Sequence, residues 1–133
     1  MDGDLINIWG ETDGSNTTGR FTLKSDAFTN TPTEIVIPKG FKAKIWALEI
    51  AGEACDVIVK VSKDGGNTWT GLKTIKLSSA GNLSIEKRSR PIVTISEAPY
   101  VSGTSGVLVR FDWSQATAAK TYFNALMEIV KDD

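Results

Sequence analysis

A chain with no histidine has few ways to move a proton near neutral pH, and this chain has none among its 133 residues. That removes Ser-His and Cys-His nucleophilic sites. With a single cysteine as well, it removes the common zinc ligand sets. Cys55 lies in the apolar run Cys55 to Val61 and reads as an inert core thiol rather than a nucleophile. No P-loop and no G-x-G-x-x-G is present. Two carboxylates suffice for glycoside hydrolysis. Here the acidic residues fall in turns or on polar strand faces and read as solvated surface. The expectation is a protein that is not an enzyme and that uses no metal or cofactor.

One short run has residue types at telling positions: Ser62-Lys63-Asp64-Gly65-Gly66-Asn67-Thr68-Trp69. Asp64 can accept bonds from the N–H groups of a tight turn. Gly65 and Gly66 supply positive φ, and Trp69 is large enough to cover a hairpin against a sheet. The run matches S-x-D-x-G-x-T-W and resembles the Asp-box hairpin, with Ser62, Asp64, Gly66, Thr68 and Trp69 as its structural residues. In families that carry it, the box repeats around sialidase propellers and also occurs singly in other β folds. Here it occurs once, in a chain too short for such a propeller, so it implies a hairpin and not sialidase activity. A calcium loop is the other reading of an Asp-Gly-rich turn, but calcium takes six to eight oxygens and Asp64 alone is a poor start.

Four tryptophans, Trp9, Trp46, Trp69 and Trp113, are a possible stacking platform for sugars. Trp46 and Trp113 are in phase with apolar neighbours and are expected in the core. Trp9 ends a strand beside a polar loop, and Tyr100 lies in the 99–106 loop. These two are the candidate binding residues.

Lys plus Arg number 15 against 16 Asp plus Glu, a net charge of -1. Nucleic-acid binders draw most of their affinity from phosphate contacts and usually show a basic excess. No nucleic-acid partner is expected, and Lys87-Arg88-Ser89-Arg90 reads as a solvated turn before Pro91. No apolar run is long enough to span a bilayer, so no membrane partner is expected either. The N-terminus, Met1-Asp2-Gly3-Asp4, shows no signal peptide. The sequons at Asn16 and Asn82 read as chance.

The elements that must position these residues are short and of period two, separated by Gly, Asn, Asp, Ser and Pro. The spacing predicts strands at Leu5–Trp9, Phe21–Lys24, Glu34–Ile37, Lys42–Ala51, Cys55–Val61, Leu72–Leu77, Leu83–Ile85, Ile92–Ile95 and Val107–Trp113. In Lys42–Ala51 the expected common face is Trp46, Leu48 and Ile50. Lys120–Lys131 fits a strand (Phe123, Ala125, Met127, Ile129) or a helix (Tyr122, Phe123, Leu126, Ile129, Val130). The strand is favoured because every other element is β. The result is an all-β chain, an antiparallel β-sandwich of jelly-roll type. Residues 1–20 form an N-terminal strand or arm and polar loop, and residues 21–133 form the sandwich domain.

The whole chain resembles the small jelly-roll auxiliary proteins, decoration or cement subunits, of tailed-phage virions. The features are Ile35-Val36-Ile37-Pro38-Lys39-Gly40 leading into a long strand, the Asp-box hairpin, and the late strand ending Phe111-Asp112-Trp113-Ser114. The resemblance implies a non-enzymatic structural subunit made in a host cytoplasm and located on the virion. Its implied partners are copies of itself, as a homotrimer, and the major capsid protein. Carbohydrate-binding modules share the same look, so a glycan-binding β-sandwich is the alternative.

Overall fold

The computed structural model describes residues 4–86, 90–96 and 106–131. They form ten strands: β1 (Asp4–Glu11), β2 (Thr18–Arg20), β3 (Ile35–Pro38), β4 (Phe41–Gly52), β5 (Cys55–Ser62), β6 (Thr70–Leu77), β7 (Gly81–Glu86), β8 (Val93–Ser96), β9 (Gly106–Ser114) and β10 (Thr121–Lys131). The final segment is therefore a strand. It pairs with β1 on one side and β4 on the other, burying Phe123, Ala125 and Met127 in period two.

Two antiparallel sheets result. The first runs β1-β10-β4-β7, with β8 continuing the β7 position along β4. The second runs β2-β9-β5-β6, with β3 continuing the β2 position along β9. Merging those two split positions leaves eight strand positions, four per sheet. Apart from the β5–β6 hairpin within the second sheet, successive positions alternate between the sheets, which is the jelly roll.

The inner faces supply the core. On β5 and β9 β-branched and aromatic residues hold every second, inward position, so Val57, Val59, Val107, Val109 and Phe111 are fully buried. Phe21 is fully buried between the sheets, its ring centroid 4.6 Å from Phe123 and 5.1 Å from Trp113, and Phe111 stacks on Phe123 at 5.1 Å.

Two expectations shift. Phe21–Lys24 is not a strand, because this segment crosses from one sheet to the other. The Phe21 N–H donates to the Phe111 carbonyl in the second sheet, whereas Lys24 and Trp9 exchange backbone bonds at the edge of the first. Phe21 and Leu23 alternate with polar residues because they plug the gap between the layers. Trp46 is not in the core. Ile45 pairs with Met127 and Ala47 with Leu126, so Trp46 is the extra residue of a β-bulge. The bulge resets the phase: Ala43 and Ile45 point inward before it, Leu48 and Ile50 after it, and Trp46 is half-buried. Trp113 is in the core, as its phase indicates.

Candidate functional site

The outward residues of the first sheet lie in rows set by register. Trp9 on β1 is opposite Asn124 on β10, which is opposite Glu49 on β4. In the next row Glu11, Tyr122, Ala51 and Asn82 follow one another across β1, β10, β4 and β7. Trp9 and Tyr122 are thus diagonal neighbours, within reach for aromatic side chains. The small Ala51 lies between Tyr122 and Asn82 and leaves a depression. The groove, about 340 Å³, is lined by Trp9, Glu49, Ala51, Asn82, Tyr122 and Asn124. Trp9 is half-buried, and Tyr122 is 52% exposed, the most exposed large hydrophobic residue described.

A buried polar cluster holds the strands under this groove. Thr12 and Thr121 are fully inaccessible, and Gln115 nearly so. Thr12 Oγ1 donates to the Ala119 carbonyl at 2.6 Å and accepts from the Thr121 N–H at 2.9 Å. Thr121 Oγ1 donates to the Glu53 carbonyl at 2.8 Å, and the Gln115 side-chain amide donates to Thr121 Oγ1 at 3.0 Å. The cluster ties the end of β1, the β4–β5 connection and the β9–β10 connection together, one residue away from Glu11 and Tyr122. Fully satisfied buried networks of this kind rigidify the strands they join.

The 62–69 run forms the turn of the β5–β6 hairpin, in the other sheet. Ser62 Oγ donates to Asp64 Oδ1 at 2.7 Å and accepts from the Gly66 N–H at 2.8 Å. Asp64 Oδ1 accepts from the Thr68 N–H at 2.9 Å, and Asp64 Oδ2 accepts from Thr68 Oγ1 at 2.5 Å. The Thr68 and Ser62 bonds hold the Asp64 carboxyl down at about 2. Gly65 and Gly66 have φ of 77° and 99°, and Trp69 Nε1 donates to the Gly66 carbonyl at 3.1 Å. Every polar atom of Asp64 is spent on the turn, which is the chemistry of a structural residue.

Trp69 folds back over the outer face of the second sheet. Arg110 lies 4.4 Å from its ring centroid and Arg20 5.6 Å away. Asp112 takes Arg110 at 3.1 Å and Lys60 at 2.9 Å, and Arg20 reaches Glu34 at 3.1 Å. The guanidiniums that surround the tryptophan are thus already neutralised by carboxylates.

The candidate residues do not converge. Trp9 lines the groove on one sheet, the 62–69 turn belongs to the other, and Tyr100 lies outside the described residues. Sequence reasoning missed Tyr122, Asn124, Glu49 and Asn82 as partners of Trp9. The signal for two of them was available: with Phe123 and Ala125 facing inward, Tyr122 and Asn124 must face outward. Cys55 is 2% exposed, and burial pushes its thiol up to about 11.

No protein-family model matches the chain. No curated protein matches it either. Among solved structures it is similar to the Drosophila NLP core, described for pentamer formation and histone binding (9% identity, TM-score 0.41, covering 95% of this chain and 99% of that one). It is also similar to TmCBM61 in complex with β-1,4-galactotriose (14% identity, TM-score 0.39, 96% and 70%). A third is the empty virus-like particle of Cowpea Mosaic Virus (9% identity, TM-score 0.42, 100% and 85%). At these scores the matches decide nothing about activity or partner, and the fold rests on the strand order described above.

Proposed function

We propose that this jelly roll is a non-enzymatic structural subunit of a virion, a decoration or cement protein that packs against copies of itself as a homotrimer and against the major capsid protein. The observation that supports this reading is where its exposed apolar residues lie. Leu5 is 47% exposed, Val36 45% and Leu72 42%. They belong to β1, β3 and β6, each of which is an edge of its sheet. Edge strands are where isolated proteins place lysine, proline and other guards against further pairing. Large apolar side chains at three edges suit a molecule whose edges are covered by neighbours.

The backbone of β1 fits the same use. Trp9 turns its N–H and carbonyl away from β10 to Lys24. By the alternation of an antiparallel ladder, Asn7 and Leu5 direct theirs to that same side. Among the described residues nothing pairs with them there.

Sedimentation velocity of the full chain at micromolar concentration tests the proposal. A trimer that dissociates on Leu5→Asp or Val36→Asp is the expected result, and a monomer at every concentration overturns self-assembly. Mass spectrometry of virions purified from the source culture tests location, and absence of the chain from them overturns the virion assignment.

A further inference from the structure

We infer that the groove formed by Trp9, Tyr122, Asn124, Glu49 and Asn82 is a binding site for a neutral pyranose glycan, a function separate from edge-mediated assembly. Three features carry this. First, two aromatic side chains stand diagonally on neighbouring strands, one of them mostly exposed, over a floor kept low by Ala51. An aromatic face pairs with the apolar C–H face of a sugar ring while the polar tip of Trp or Tyr stays available for a hydrogen bond.

Second, the polar groups of the groove are unspent. The side chains of Trp9, Tyr122, Asn124, Glu49 and Asn82 make no hydrogen bond to any described residue, in contrast to Asp64, Trp69 and Trp113, whose polar atoms are all engaged. The unspent set mixes donors and acceptors: an indole N–H, a phenol, two amides and a carboxylate. A sugar hydroxyl both donates and accepts, so vicinal hydroxyls are the ligand groups that such a set satisfies together.

Third, the charge is wrong for an anion. The carboxylates of Glu49 and Glu11 lie in these two rows of residues, and the nearby Lys120 ammonium is held by Glu11 at 3.6 Å. A phosphate, nucleotide or acidic sugar would meet Glu49 without a cation to offset it. The volume, about 340 Å³, lies at the small end of the roughly 300–1,000 Å³ range of small-molecule sites and suits one or two sugar rings.

NMR titration of the full chain with cellobiose, lactose and maltose, and with sialyllactose as the charged comparison, tests the inference. At least one neutral disaccharide is expected to shift the Trp9 indole resonance and the amides of residues 122–124. Affinity should fall at least tenfold in Trp9→Ala and in Tyr122→Ala, and be lost in Ala51→Phe, which fills the floor while leaving both aromatics in place. Sialyllactose should bind more weakly than lactose, with the gap narrowed by Glu49→Gln. If none of the three neutral sugars shifts these resonances, or if the variants bind as the parent does, the inference is overturned. Sedimentation of the same samples reports assembly independently, so failure here leaves the assembly proposal to its own test.

Discussion

Trp113 lies across Gly19 so closely that a Cβ added to Gly19 would come within 2.4 Å of its six-membered ring. The indole is held there by its own Nε1 donating to the Asn16 carbonyl at 3.2 Å and by packing against Phe21, ring centroids 5.1 Å apart. The ring cannot retreat. Gly19→Ala is expected to cost about 1–3 kcal/mol, the range for overpacking a filled interior. Urea denaturation with an unchanged m-value and a lower midpoint would bear this out, and a midpoint equal to the parent's would refute it.

Phe21 connects the layers, touching Trp113 from the second sheet and Phe123 from the first. Phe21→Ala should lose about 3–5 kcal/mol. Phe21→Leu should lose less, because it leaves a smaller cavity. Thermal melts of both variants give the ranking, and equal losses would argue that the ring contacts with Trp113 and Phe123, rather than buried volume, carry the loss.

The Asp64 carboxyl titrates at about 2 rather than 3.8 because Thr68 and Ser62 bond its charged form. Its folded value lies below the unfolded one. The stability it contributes is therefore present above about pH 4 and is lost as pH falls through 2. Carboxyl-carbon NMR should place the midpoint near 2 in the parent and higher, but still below 3.8, in Thr68→Val, which removes the hydroxyl donor and leaves the Thr68 N–H and Ser62 bonds. Amide exchange at Gly66 and Thr68 should stay slow at pH 3 and speed up in Asp64→Ala.

Burial raises the Cys55 thiol from 9.0 to about 11. Here the folded state holds its proton longer than the unfolded state. The contribution to stability is complete below pH 9 and declines as pH rises toward 11. At pH 8 an aromatic disulfide reagent should react with Cys55 only at the rate of unfolding. Stoichiometric reaction within seconds in the native state would contradict the burial.

Much of this fold was legible because its strands follow two rules at once, alternation and turn chemistry. Val57, Val59 and Val61 and the run from Val107 to Trp113 show which face is inward without any structure. Three things were not legible. The Trp46 bulge is invisible, because an inserted residue reverses the phase without altering composition. Phe21–Lys24 has strand periodicity because plugging two layers imposes the same in-and-out order as lying in one. The groove was half legible: Trp9 looked available, but pairing it with Tyr122, Asn124 and Glu49 needs the register of β1, β10 and β4. Register is a long-range property that local pattern does not encode.

The split strand positions have a consequence for crowding. The broken β2/β3 edge lies on the same side as β1, joined to it through the Trp9–Lys24 bridge. The broken β7/β8 edge lies on the side of β6, where β6 packs near β7. Each flank thus presents one continuous strand beside one interrupted strand, the β1 edge being taken up at Trp9 by Lys24. A second molecule can zip onto a single layer, but a seamless double-layered ribbon running from copy to copy has no place to start. The same flanks thereby hinder runaway edge-to-edge polymerisation when copies are crowded together.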